Sequence, residues 1–171
     1  MTSGDLSSEG TGSEPPVVTA IHLAPGSRLP TRSVARVEAE AGRGLVGDRH
    51  HGSRHRHVTI QSVLDLEAAA ADLGRPIDPG LTRRNVTVSG GRIPTRPGER
   101  LSIGDVQLEV VRIAAPCRLL DDGLGPGAAR ALHNRGGTVF RLLTSGTIRV
   151  GDEVDLAPVP SDAPTQSDPT V

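Results

Sequence analysis

Apolar residues in this chain come in short runs rich in Val and Ile, and glycine or proline closes most of them. A β-branched run between turn signals reads as a strand, because side chains stiff at χ1 pack well on a pleated surface. With 21 Gly and 14 Pro in 171 residues, long uninterrupted elements are excluded. The chain holds one Phe and neither Trp nor Tyr, so its core must be built from Val, Leu, Ile and Ala. The pattern predicts many short strands.

Taken in order, residues 17–23 form a strand and Pro25-Gly26 a turn. Residues 33–39 alternate as one half-buried strand, a hairpin partner for the first. Residues 41–57 are Gly-rich and charged and carry four of the six histidines. They are too polar for core and read as a functional loop on a scaffold. After a short strand at 58–61, Ser62 caps a helix that runs to Leu73 and stops at Gly74. Residues 81–89 form a strand with Arg83, Arg84 and Asn85 at its start. Strands at 100–103 and 106–113 flank a Gly104-Asp105 hairpin turn. Short helices follow at 118–124 and 126–133, Gly136-Gly137 breaks the second, and strands at 138–143, 147–150 and 153–156 close the domain. The expected fold is mainly β, a barrel or strongly bent sheet with a few short helices. Residues 1–16 and 158–171 have tail-like composition and are expected to be disordered, leaving one domain at 17–157.

All 19 basic residues are arginine. Without lysine there is no pyridoxal phosphate Schiff base and no Walker phosphate-binding lysine. Arginine forks remain to hold anions, and they suit phosphate. A net charge of −1 gives no general pull toward nucleic acid or membrane. The N-terminal residues lack the apolar run of a signal peptide, and a cytoplasmic protein is expected. One cysteine excludes an internal disulfide and an all-cysteine zinc site.

That cysteine, Cys117, follows Pro116 where a strand ends and a helix begins, and Arg118 follows it. A lone cysteine is commonly a small buried hydrophobe. A helix N-terminus and a neighbouring cation would instead favour the thiolate, which is a nucleophile and a soft-metal ligand. Both readings stand on the residues alone. Arg83-Arg84-Asn85 reads either as a solvated strand edge or as an anion clamp. In Gly47-Asp48-Arg49-His50 the glycine permits a close turn and the aspartate can fix a neighbouring arginine. The loop histidines lack a helical His-x-x-x-His pair and a nearby cysteine, which argues against zinc. No nucleophile-elbow sequence supports a serine hydrolase, and nothing local supports a Cys117–His133 pair.

In this order, Gly44-Leu45-Val46-Gly47-Asp48-Arg49-His50, His57-Val58-Thr59-Ile60, Arg83-Arg84-Asn85-Val86, Leu101-Ser102-Ile103-Gly104-Asp105, Leu108-Glu109-Val110, Pro116-Cys117, Arg135-Gly136-Gly137 and Gly146-Thr147-Ile148-Arg149-Val150-Gly151-Asp152 resemble the MOSC domain. This is the C-terminal module of molybdenum cofactor sulfurases, which also occurs alone in bacteria. The resemblance implies a strand-rich barrel and a site for the molybdenum cofactor, a pyranopterin with a terminal phosphate. It implies that Cys117 ligates molybdenum in a reductase of N-hydroxylated or N-oxide substrates, or carries sulfur as a persulfide. Arg83, Arg84 and Asn85 would hold the anionic end. Asp48, Arg49 and His50 would line the pocket, His50 as a proton donor, and Arg118 would add a cation beside the thiol. The sulfurase's pyridoxal phosphate domain has no counterpart here. A stand-alone module would need a small-molecule substrate and an external electron donor, or a sulfur donor protein.

Overall fold

A computed structural model of the chain describes residues 14–156. Of the tails expected at 1–16 and 158–171, residues 1–13 and 158–171 lie outside the described residues, whereas the Pro16 carbonyl accepts a hydrogen bond from Val154 N. Eleven strands are described: β1 Val18–Leu23, β2 Arg32–Val34, β3 Arg36–Glu40, β4 Gly44–Leu45, β5 Val58–Ser62, β6 Val86–Val88, β7 Arg100–Ile103, β8 Val106–Ile113, β9 Thr138–Leu142, β10 Gly146–Arg149 and β11 Val154–Asp155. Three helices accompany them, α1 Val63–Leu73, α2 Leu119–Leu124 and α3 Ala128–Ala131, with a 3-10 turn at Pro79–Thr82.

Eight strands form one sheet in the order β11-β7-β8-β9-β5-β6-β1-β2, and β10-β3-β4 form a second. The large sheet curls because its far end returns to β1. Val18 N donates to Asp152 O at 2.9 Å, Gly151 N to Val18 O at 2.8 Å and Val154 N to Pro16 O at 2.8 Å. Val17 and Glu153 add a bridge. These bonds give β11 a partner across the seam, which shields most of an edge that would otherwise be open. The mainly β, barrel-like class expected from the sequence is the class observed.

The one parallel pair in the large sheet is β5 with β6, Ile60 opposite Val86. Parallel neighbours need a crossover, and α1 with the 3-10 turn supplies it. Ser62 Oγ accepts from Leu64 N at 3.2 Å and starts α1, while Gly74, at φ 78°, ends it. Inside the shell lies the main core, with Phe140, Ile60, Leu101, Leu108 and Ile103 fully buried. A second, smaller core of Leu66, Ala69, Ile77, Leu120, Ala128 and Leu132 joins the three helices on one side. Residues 114–118 cross from the barrel to that helical layer, so Cys117 sits at their junction.

Three expectations change. The strand expected at 81–89 is confined to β6, because Leu81 and Thr82 belong to the 3-10 turn and Arg83 takes a left-handed φ of 62°. Residues 33–39 are not one strand: β2 pairs with β1, Val34 opposite Ile21, whereas β3 pairs with β10, Val37 opposite Ile148. Ala35 is the corner, its carbonyl accepting from Val150 N at 2.9 Å. Residues 41–57 are not all outside the core either. Gly44 and Leu45 form β4 and are buried, as are Asp48 and His57. Leu45 joins the barrel interior, and the two polar residues are buried because hydrogen bonds from the barrel receive them.

Candidate functional site

The frame of the site is a buried hydrogen-bond network around Asn85 and Asp48, which are 5% and 6% exposed. Asn85 immediately precedes β6. Its backbone N donates to Thr59 Oγ1 at 2.9 Å, and its Oδ1 accepts from Thr59 N at 3.0 Å. Its Nδ2 donates to His22 O at 3.2 Å and to Asp48 Oδ1 at 3.1 Å. Asp48 Oδ1 also accepts from Ala24 N at 2.9 Å, and Oδ2 from His50 N at 3.1 Å. The amide and the carboxylate are therefore occupied within the protein. Together they tie the 46–57 loop to β1, β5 and β6 and hold the backbone at Arg49 and His50.

Arg83 adopts φ 62°, an unusual backbone for a residue with a side chain. Its guanidinium reaches the 26–29 loop, Nη1 donating to Leu29 O at 2.8 Å and Nη2 to Gly26 O at 3.1 Å. Arg84 is buried and turns to another wall, Nε donating to Gly136 O at 2.5 Å and Nη2 to Ala115 O at 3.3 Å. Gly136 sits tightly there, since a Cβ on it would lie 3.4 Å from Arg84 Nη2.

The two arginines are not alone. Burial, then Arg56, Arg112 and Arg49, hold Arg84 down at about 10, with Cys117 acting in the opposite sense. Arg83 is lowered by burial and by Arg49, and Arg56 by burial, Arg49 and Arg112; Cys117 and Asp48 oppose both shifts. Arg49, Arg56, Arg83, Arg84 and Arg112 thus share one electrostatic neighbourhood with Cys117 and His50. The one carboxylate acting within it, Asp48, is already committed. Arg56 Nε, Arg83 Nε and His50 Nε2 are buried there without a hydrogen-bond partner. Buried polar atoms without a partner are uncommon, and here three lie in one cluster.

The structure brings Cys117, His50, Arg49, Arg83 and Arg84 into that neighbourhood. It makes Asp48 and Asn85 the struts behind it. Arg118 is exposed at the start of α2, makes no capping hydrogen bond with its side chain, and is not among the charges that shift His50, Arg56, Arg83 or Arg84. Cys117 is exposed and free. Sequence reading missed Arg56 and Arg112. Arg56 lies in the histidine-rich loop, where the histidines drew attention, and Arg112 lies near the end of a strand with no motif around it.

His50 is lowered to about 4, foremost by burial and then by Arg56 and Arg49. Burial lowers His22 and His57 as well. A depressed histidine binds fewer protons folded than unfolded, so acid opposes folding. Stability is expected to be level above about pH 6.5, the unfolded value. It should fall as pH drops toward about 4, the folded value of His50. Urea midpoints measured from pH 7.5 to 4.5 test this, and His50→Gln should flatten the slope. An unchanged slope in that variant would remove His50 from the account.

A barrel-like shell thus carries an arginine cluster beside one exposed thiol. Its sequence matches the MOSC domain model over residues 47–155, and the chain belongs to that family. The fold is similar to the YuaD protein from Bacillus subtilis (20% identity, TM-score 0.70), covering 81% of this chain and 94% of that one. It is also similar to YiiM from Geobacillus stearothermophilus (18% identity, TM-score 0.67), covering 82% of this chain and 74% of that one. A search of the curated proteins found no match. Among the described residues, no helix is long and apolar enough to cross a membrane, and no group of three His, Cys, Asp or Glu is placed to hold a metal ion.

Proposed function

We propose that this MOSC protein binds the molybdenum cofactor and reduces N-hydroxylated or N-oxide small molecules with electrons from an external donor. The observation that carries this is the five-arginine cluster with three orphaned nitrogens beside a single exposed thiol. The donor set fits the group. Cys117 is the one soft ligand, suited to molybdenum. Arg56, Arg83 and Arg84 offer the hydrogen-bonding cations a phosphate requires. When bound, the cofactor supplies two-electron chemistry at the metal. The chain's own part is to hold and orient it. Asp48 and Asn85 fix the backbone that carries Arg49 and His50, and Arg84 ties the Gly136 and Ala115 carbonyls to the same site. His50, neutral at pH 7, becomes easier to protonate once an anion offsets its cationic neighbours, and can then hold a proton for the substrate.

The test is molybdenum and pterin content of protein made in a host that synthesises the cofactor. Near-stoichiometric molybdenum in the wild type and its loss in Cys117→Ala are expected, with the urea midpoint unmoved because the thiol is exposed. No molybdenum in either protein sinks the proposal.

The exposure of Cys117 favours a second reading, a sulfur carrier without catalysis of its own. A donor persulfide would pass its outer sulfur to the Cys117 thiolate and leave as a thiol. Mass spectrometry after incubation with a persulfide donor would then show a gain of about 32 Da, one sulfur, on Cys117. The reading fails if the wild type turns over substrate but never takes up this mass.

A further inference from the structure

Gln61 is a polar side chain with no exposed surface, in the middle of the sheet. A buried amide is tolerated when its hydrogen bonds are met, and the partners of this one lie in the 3-10 turn and in β6. Its Nε2 donates at 3.0 Å to Oγ1 of Thr87, its in-register neighbour across the parallel pair, and at 3.3 Å to Pro79 O. Its Oε1 accepts from Thr82 Oγ1 at 2.8 Å, a hydroxyl that also lies 2.7 Å from Pro79 O. Gln61 thus fastens both ends of the Pro79–Thr82 turn to β5. Two more bonds brace the middle of the turn: Gly80 N donates to Asp78 Oδ1 at 2.8 Å, and Thr31 Oγ1 donates to Gly80 O at 2.6 Å.

Side chains on one face of a strand recur at every second residue. Val58 and Ile60 take the face of β5 that enters the main core. Thr59 and Gln61 take the other. Thr59 holds Asn85, and Gln61 holds Thr82. Residues 82–85 are therefore tied at both ends to one strand, with Arg83 and Arg84 between the ties. A residue with a side chain avoids the left-handed backbone unless its surroundings impose it. Between these ties Arg83 adopts φ 62°, and the two neighbouring guanidiniums part. Arg83 turns to the Gly26 and Leu29 carbonyls, Arg84 to those of Gly136 and Ala115.

We propose that Gln61 is a positioning residue for the anion site: through Thr82 and Pro79 it imposes the left-handed turn at Arg83 and so sets the divergence of Arg83 and Arg84. It acts from behind, without touching the anion. The proposal rests on the reading of the arginine cluster as an anion site. A glutamine that only satisfied its neighbours would lower stability when replaced, without changing what the cluster binds.

The experiment uses the full chain without cofactor and pyrophosphate as the probe, titrated by phosphorus NMR at constant ionic strength. The thermal midpoint of each variant is measured alongside. Wild type is expected to bind pyrophosphate. Gln61→Met and Thr82→Val should each weaken it at least fivefold. Thr82→Ser, which keeps the hydroxyl, should stay within twofold of wild type. Gly74→Ala strains the end of α1, with nothing within 4 Å of the new methyl, and controls for general loss of stability. Its midpoint should fall and its affinity stay within twofold. Should Gln61→Met fail to fold, the Thr82→Val and Thr82→Ser pair decides. Unchanged affinity in Thr82→Val, an equal loss in Thr82→Ser, or an equal loss in Gly74→Ala would each overturn the proposal. No binding by wild type would overturn the anion reading and this proposal with it, so the two failures are told apart.

Discussion

Gly137→Ala is expected to destabilise the fold by about 3 kcal/mol or more, the sum of left-handed backbone strain and a backbone collision. Gly137 sits at φ 91°, and a Cβ there would run into the Ile60 carbonyl, which is backbone and cannot swing away. Its own carbonyl accepts from Ala114 N at 2.9 Å, so a shift would also loosen the end of β8. The preceding residue carries the carbonyl that receives Arg84, so the same shift reaches the cluster. Gly42→Ala is the control. It shares a positive φ of 72° but has nothing within 4 Å, and should cost only about 1 kcal/mol in backbone strain. Urea denaturation of both variants separates the two components. Equal losses would mean that the close approach to Ile60 contributes nothing.

Arg84→Met is expected to reduce anion retention by one to two orders of magnitude, roughly the worth of one charge-assisted hydrogen-bonding group. Pterin content after expression in a cofactor-producing host measures it. The fold should change far less, because two effects oppose. The variant loses the bond to the Gly136 carbonyl, worth about 2 kcal/mol for a charged donor. It also removes a cation held down at about 10 by burial and by Arg56 and Arg112. Keeping Arg84 charged in that setting costs about 3 kcal/mol. The two nearly cancel, so a change in stability within about 2 kcal/mol is expected from their uncertainty. A protein that carries such an unfavourable charge is best explained by an anion that offsets it when bound. An undiminished pterin content in Arg84→Met would remove Arg84 from the binding set.

Much of the fold was legible because it was written in local signals. The alternation of Val and Ile between Gly and Pro turns marked most of the strands, and Ser62 and Gly74 marked both ends of α1. The break at Ala35 was not legible. Nothing local separates Val34 from Val37; they part because one finds its partner in β1 and the other in β10. Leu45 was hidden for a similar reason, since a two-residue strand among charged neighbours has no period to reveal it.

For the site, the sequence by itself determined its chemistry: one thiol, no lysine, and arginine as the only permanent cation available for an anion. The ordered motifs from Gly44 to Asp152 pointed to the family. Only the tertiary structure decided which residues meet. It turned Asp48 and Asn85 into struts, left Arg118 outside, and drew in Arg56 and Arg112. The physical reason is that a cation's influence depends on distance and burial, and both are set by the closing of the barrel. Arg49, Arg56, Arg84 and Arg112 are spread over more than sixty residues of chain. They become one site because the loop before β5, the start of β6 and the end of β8 converge where Cys117 leaves the barrel for the helices.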